Sequence, residues 1–340
     1  MYIWGNMSDS IPSETNDVAY GPCVLEQLVG QQQVLSVLRT HLDAYWNDRA
    51  AGRNPVLNHY LFAGPPGSGK TQVANILAKE LAVPMVTVTA DALRSAQDTH
   101  RILVELESDS ILFIDEIHSL SRYQVAETIL LKALAENKVC LGGGNSRKPT
   151  TIDLPRFCCI GATTDPWTLH PATRQRFFTL NFGFYTTEEL TEIARRRAKA
   201  MAVECEAGVL DELAKRAKET PRIALSLLKA CQKTARSQNT DSITLQHVRM
   251  TIEQLAVDEI GLDSLERRYL ELLAEGGGCV RLNIIALRLG LPARTLTRMV
   301  EPFLVRQGLV CTSERGRELT PKGGDHLKKS AQEPHSDSTI

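Results

Sequence analysis

Apolar residues along this chain recur with two periods. Between Val24 and about Tyr185, short unbroken runs of β-branched, aromatic and aliphatic residues alternate with stretches whose apolar positions return every three to four residues. The runs are 60–63, 85–89, 111–114, 157–161 and 179–184. Strands without polar alternation are buried on both faces, so the runs predict a parallel sheet and the stretches between them predict helices covering it. In the stretch 72–82, for example, Val73, Ile76, Leu77 and Leu81 fall on one helical face. One segment departs from the alternation. Val139-Cys140-Leu141 and Thr150-Thr151-Ile152-Asp153-Leu154 flank a tip of Gly, Asn, Ser, Lys and Pro, which predicts a β-hairpin projecting at about 138–155.

Beyond Thr187 the period is helical to about Asp258, with breaks at Gly208 and Thr220-Pro221, and predicts a small all-α domain over 186–258. A third unit follows over 259–323. It reads as a helix over 262–274, a Gly276-Gly277-Gly278 break, a short helix over 284–289 and a turn at Gly290-Leu291-Pro292. A longer helix then runs to Gln307, and two short β pieces lie around Glu314-Arg315-Gly316-Arg317. That order predicts a winged helix-turn-helix. The polar ends, 1–19 and 324–340, are expected to be a disordered leader and tail, with Met7 a second candidate initiator.

The candidate chemistry begins between the first run and its helix. Gly64-Pro65-Pro66-Gly67-Ser68-Gly69-Lys70-Thr71 meets every position of the phosphate-loop pattern, and chance would supply it in a chain of this length with a probability on the order of one per cent. Glycines let backbone N–H groups turn toward a β-phosphate, a lysine spans the β- and γ-phosphates, and the Thr71 hydroxyl takes one position on Mg²⁺. The strand-to-helix context fits nucleoside-triphosphate binding by Gly67, Ser68, Gly69, Lys70, Thr71 and Gln72. The run 111–114 is followed at once by Asp115-Glu116, carboxylates placed where open α/β sheets bind ligands. Asp115 would complete the metal site with Thr71, and Glu116 would polarise the attacking water. Thr163 and Thr164 end the next run, either as γ-phosphate sensors or as an ordinary turn closing a strand. Arg174 and Arg176 stand shortly before the last run, suited to transition-state charge or to a surface ion pair. Arg222 follows Thr220-Pro221 in a helix's first turn, where a cation opposes the helix dipole unless an anion reaches in. His118 and His170 read as isolated core or surface histidines. In the third unit, Arg294, Arg298 and Arg306 lie along the long helix, with Arg315 and Arg317 on the wing as candidate phosphate or minor-groove contacts.

Composition narrows the classes. Hydrophobic content of 43% and charged content of 23% are those of a globular protein, and 340 residues suggest two to three domains. A formal net charge of -1 excludes a globally basic nucleic-acid binder, so DNA contact must be local. The third unit carries twelve Lys/Arg against nine Asp/Glu over 259–329. The eight cysteines form no C-x-x-C pair and suit a reducing compartment better than a metal or disulfide framework. No run reaches membrane-helix length and the start lacks a signal-peptide pattern, so a cytoplasmic protein is expected.

Taken together, the phosphate loop, Phe113-Ile114-Asp115-Glu116-Ile117-His118, the hairpin closing on Asp153-Leu154-Pro155, Gly161-Ala162-Thr163-Thr164, Thr220-Pro221-Arg222-Ile223-Ala224 and Glu301-Pro302-Phe303-Leu304 resemble the RuvB family, bacterial AAA+ motors of Holliday-junction branch migration. The resemblance runs from about Tyr20 to Gly323 in unbroken order. It implies an AAA+ P-loop ATPase domain over 20–185, a helical lid and a winged helix, assembled as a homohexamer with ATP and Mg²⁺ between subunits. It implies roles for Lys70, Asp115, Glu116, Thr164 or Thr163 as first sensor, Arg174 as arginine finger and Arg222 as second sensor, with Tyr20, Gly21 and Tyr185 near the nucleotide. It further implies docking of the hairpin, from Val139 to Leu154, on RuvA, and contact of four-way or double-stranded DNA by the wing, with Thr312, Arg315 and Arg317 there and Arg294 on the long helix as candidates. The implied setting is recombination, DNA repair and the SOS response to DNA damage. Four places differ from the family pattern: Tyr20-Gly21-Pro22 in place of an Arg-Pro, Ala135-Glu136-Asn137 in place of an acidic-aromatic segment, Phe178 in place of a glycine, and Thr312 in place of an arginine. An AAA+ switch or clamp-loader-like ATPase without translocation is the alternative reading.

Overall fold

The computed structural model describes Leu25 and residues 28–332, except 56 and 142–149. Seven strands belong to the first domain: β1 Tyr60–Ala63, β2 Met85–Thr89, β3 Ser110–Asp115, β4 Lys138–Leu141, β5 Thr150–Asp153, β6 Phe157–Thr163 and β7 Phe178–Asn181. Five of them form one parallel sheet in the order β2-β3-β6-β1-β7. The unbroken apolar runs are explained by two cores rather than one. Tyr60, Phe62, Ile111, Phe113, Cys158, Ile160 and Ala162 point to one face, where α1 (Gln32–Ala50) and α2 (Lys70–Leu81) cover them. The alternate residues Leu61, Leu112, Ile114, Phe157 and Cys159 point to the other, against α3 (Ala96–Val104) and α4 (Gln124–Glu136). The three inner strands β3, β6 and β1 are therefore buried on both faces, whereas the edge strands β2 and β7 are largely exposed.

The expected hairpin is β4 paired antiparallel with β5, Val139 and Leu154 being buried at its base in the second core. Its tip lies outside the described residues, as do the leader expected over 1–19, Tyr20 and Gly21, and residues 333–340. The last strand of the sheet is shorter than its apolar run. β7 ends at Asn181, and the chain then leaves the sheet through Gly183 toward the lid.

The lid comprises α6 (Thr187–Ala200), α7 (Val209–Lys215), α8 (Pro221–Ser237) and α9 (Leu245–Gln254), α5 being the short turn Pro171–Arg174 before β7. Thr186 starts α6 with a capping box closed by Glu189. A two-residue parallel pairing of Glu204–Cys205 with Ser242–Ile243 is the one addition to an otherwise helical domain.

In the third domain the helix Ser264–Glu275 packs on Leu282–Leu289 and on a long helix built of Ala293–Thr295, a π turn at Leu296–Val300 and Glu301–Arg306. Pro302 accounts for the π turn: it has no N–H for an i−4 carbonyl and its ring needs room there, so the preceding turn widens. The wing is Val310–Ser313 paired with Gly316–Leu319. The expectation of a disordered tail over 324–340 fails for 324–332, because Pro321–Gln332 is a helix. Thr320 Oγ1 accepts from the Gly323 N–H at 3.0 Å and Pro321 occupies the first helical position, a helix start masked by the following Gly-Gly. Leu327 packs against the winged-helix core, and buried His326 Nε2 lies 2.8 Å from Asp258 Oδ2.

Candidate nucleotide site

β1 leads directly into the phosphate loop and α2 leaves it, so the first turn of α2 presents unpaired N–H groups and its positive dipole end to the loop. Gly67 and Gly69 adopt φ of 78° and 90°, a region that side-chain-bearing residues pay to enter, and so the loop requires glycine there. Lys70 is buried, its Nζ donating to Gly64 O at 2.9 Å, Pro65 O at 2.8 Å and, at 3.5 Å, Ser68 Oγ. Burial pushes its pKa down, partly offset by Glu116 and Asp115 and reinforced by Arg222.

β3 carries Asp115 to the same level, beside β6 and one strand removed from β1. Asp115 Oδ1 accepts from the Glu116 N–H at 3.0 Å, and Glu116 itself sits at φ 51°. A glutamate held left-handed costs about 1–3 kcal/mol, strain that concentrates where a side chain must be aimed. Asp115 and Glu116 share a cavity of about 460 Å³ with Gly67, Ser68, Gly69, Lys70, Thr71 and Gln72. Its apolar end is formed by Leu28, Val29, Leu35, Ile193 and Leu225, and its lid wall by Tyr185, Arg196, Arg197 and Arg222. Two carboxylates, the four cations Lys70, Arg196, Arg197 and Arg222, and five apolar side chains thus line one cavity, a mixture that suits a polyanion joined to a flat apolar group.

Tyr185 ties the loop to the lid. Its hydroxyl donates to Ser68 O at 3.1 Å, its N–H donates to Glu219 O at 3.1 Å, and burial raises its pKa. Lys218 and Glu219 have consecutive positive φ of 46° and 61°, and Thr220 follows without a side-chain cap on α8, leaving Arg222 exposed at the helix start. Beyond Glu219 lies the winged helix. Glu219 accepts from Arg306 Nε at 3.2 Å and from Gln307 Nε2 at 3.0 Å, while the Arg306 guanidinium lies 3.8 Å from the Phe184 ring centroid.

The cavity brings together Gly67 to Gln72, Asp115, Glu116, Tyr185 and Arg222, and leaves out Thr164 and Arg174, the latter expected beside the nucleotide. Thr164 is exposed at the tip of β6, outside the cavity wall, and Arg174 is stacked 4.5 Å over the Trp167 ring while Arg176 is exposed. Of the candidate DNA contacts, Arg294, Arg298, Thr312 and Arg315 are exposed. Arg317 is not displayed by the wing. Its Nε and Nη2 donate to Glu301 Oε1 and Oε2 at 2.9 and 3.2 Å, and Tyr269 Oη donates to the same carboxylate at 2.8 Å. Where an unpaired wing cation was expected, Arg317 is held inward by Glu301, buried on the long helix. Arg306 is likewise engaged by Glu219 and Phe184.

Sequence reasoning missed Arg196 and Arg197, which reach the cavity from a lid helix without a motif of their own. It also missed Gln31, whose side chain donates to Gly183 O and accepts from the Gly183 N–H, each at 2.9 Å, at the cavity rim. His118, read as structural, has its Nδ1 3.2 Å from Glu116 Oε2 and 3.1 Å from Thr163 Oγ1.

Among the described residues no group of three or more His, Cys, Asp or Glu could hold a metal. One hydroxyl, Thr71, and one carboxylate, Asp115, fit Mg²⁺, which takes most of its six ligands from phosphate and water.

Three family models match in sequence order: Holliday junction DNA helicase RuvB P-loop domain over 20–181, RuvB AAA lid domain over 185–258 and RuvB C-terminal winged helix domain over 259–328. The Holliday junction branch migration complex subunit RuvB of Thermotoga maritima is 38% identical over 317 residues, covering 92% of this chain and 93% of its own length. The solved Thermotoga maritima RuvB Holliday junction branch migration motor superposes with a TM-score of 0.77 at 36% identity, over 90% of this chain and 97% of that one. In two variants of that structure a lysine and an arginine 106 positions apart were replaced, the interval that separates Lys70 from Arg176 here.

Proposed function

The chain belongs to the RuvB family of P-loop AAA+ ATPases, and on that premise we propose that it is an ATP-hydrolysing motor for Holliday-junction branch migration, working as a hexameric ring with RuvA in recombination and repair. The observation that carries this reading is the single cavity in which the phosphate loop, Asp115-Glu116 and the lid's Arg222 converge, in a chain that also bears a winged helix. No helix among the described residues is long and apolar enough to cross a membrane.

Lys70 and the α2 amides hold the β- and γ-phosphates, and the apolar end of the cavity takes the base. Thr71 and Asp115 would hold Mg²⁺, which when bound neutralises charge on the phosphates. Glu116 orients the attacking water and accepts its proton, and Thr164 senses the γ-phosphate. Arg222 reports the nucleotide to the lid. A neighbouring subunit supplies a guanidinium from its segment bearing Arg174 and Arg176. Arg176 is the exposed member and shares the lysine-to-arginine interval of the relatives, with Arg174, stacked on Trp167, as its support. The hairpin from Val139 to Leu154 is the element offered to RuvA, and Arg294, Thr312 and Arg315 are the face offered to DNA.

Subunit mixing tests the shared site. Arg176→Ala should lower turnover about 10³- to 10⁵-fold, and Arg174→Ala less. Adding Lys70→Ala subunits, inactive alone, should restore part of the Arg176→Ala activity, because each supplies an intact arginine to a neighbour's intact phosphate loop. Undiminished turnover in both arginine variants, or no recovery on mixing, would refute an intersubunit site.

A further inference from the structure

We infer that His118 is a positioning residue for Glu116, holding the carboxylate in its working orientation through a proton for which Thr163 competes. The inference rests on the reading of Glu116 as the group that activates water. Nδ1 of His118 lies 3.2 Å from Glu116 Oε2 and 3.1 Å from Thr163 Oγ1. An ionised carboxylate only accepts hydrogen bonds, so the pairing with Glu116 requires the proton on Nδ1. Thr163 Oγ1 can accept that hydrogen or donate its own to an unprotonated Nδ1, and in either case Nδ1 has less to offer Glu116. Thr163 is buried, and its Oγ1 already accepts from the Asp165 N–H at 2.9 Å, so its position is set by the chain around it. Glu116, by contrast, is half exposed at φ 51°, with His118 as its side-chain partner among the described ion pairs.

The backbone is built to make this meeting possible. Gly161 of β6 lies under Ile117, and a Cβ at Gly161 would stand 2.6 Å from Ile117 Cδ1. The missing side chain lets the 117–122 turn settle on the strand and brings His118 beside Thr163, 45 positions away. Thr163 adjoins Thr164, the residue exposed at the strand tip. A shift of that tip moves Thr163 relative to Nδ1 and changes the share of the proton left to Glu116. The strand tip and the catalytic carboxylate are thereby linked through one imidazole.

The test uses two amides. The side-chain N–H of His118→Asn falls near the place of Nδ1, whereas that of His118→Gln falls near Nε2. With the full chain saturated by ATP and Mg²⁺, His118→Gln should lose about 100-fold in kcat with KM for ATP little changed, as expected for a misaimed group, and His118→Asn should keep most of it. Thr163→Val should alter kcat in the native background and have no further effect beside His118→Gln, because its influence passes through the imidazole. Equal kcat in the Asn and Gln variants, or a Gln variant in which ATP affinity and melting temperature fall together with kcat, would overturn the inference. Glu116→Gln separates it from its premise: if that variant still turns over ATP, the assignment of Glu116 fails, whereas its inactivity beside fully active His118 variants defeats only the role of His118.

Discussion

Replacing Arg317 by alanine should destabilise the winged helix rather than merely weaken its grip on DNA. The guanidinium makes two bonds to Glu301, whose side chain is 7% exposed, and the remaining described partner of that carboxylate is the Tyr269 hydroxyl. Burial, reinforced by donation to Glu301, holds the Tyr269 hydroxyl well above its ordinary pKa, so it stays a donor. Removing one member of a buried ion pair costs about 3–5 kcal/mol, because the other charge is left without compensation. The Arg317 side chain is 18% exposed, so water can reach part of the site, and we take about 2–4 kcal/mol. For a domain of this size each kcal/mol is worth roughly 4–8 °C, which puts the drop in the winged-helix transition between about 10 and 30 °C. Thermal unfolding of the full chain, followed by proteolysis across the third domain, reads this directly. The pair Glu301→Gln with Arg317→Ala should recover part of the loss, since the stranded charge is gone. Arg315→Ala, at the exposed turn, should change stability by less than about 0.5 kcal/mol and instead lower the slope of log affinity for DNA against log salt by about 1. If Arg317→Ala melts with the native chain while losing DNA affinity as Arg315→Ala does, the ion-pair reasoning is refuted.

Two further outcomes follow from the contacts between domains. Arg306→Ala removes the Glu219 bond and the stack on Phe184, together about 1–2 kcal/mol, and should reduce stimulation of ATP turnover by DNA about 5- to 30-fold while unstimulated turnover is kept; unchanged stimulation would break the proposed line from Tyr185 through Glu219 to the winged helix. Thr320→Ala should cost about 1 kcal/mol by uncapping the helix Pro321–Gln332, and truncation after Thr320 should cost more; equal midpoints for both variants and the native chain would show that this helix does not support the winged-helix core.

The nucleotide site was legible in the sequence because its chemistry is local. A phosphate loop spans eight consecutive residues, and Asp115-Glu116 announces itself by following an apolar strand. The five sheet strands were legible for the same reason, each being a short run, although β7 stops before its run does. What escaped depends on contacts between distant positions. His118 meets Thr163 because β3 and β6 are neighbours in the sheet, an adjacency that no single run encodes. Arg317 looked like a wing-tip cation until the strand register turned it toward Glu301 on the preceding helix. The helix after Thr320 was missed for a different reason: glycines and lysines outweigh its cap and its single core leucine, Leu327, in any composition count, yet tertiary packing overrides weak propensity.

Hydrolysis in this cavity should move a DNA junction. This is tested most directly by following a labelled four-way junction with homologous arms, in the presence of the chain, RuvA, ATP and Mg²⁺. The expected result is migration that requires both proteins and ATP hydrolysis and is abolished by Glu116→Gln. Normal ATP turnover with the junction left in place would contradict it, and would favour an AAA+ switch over a motor.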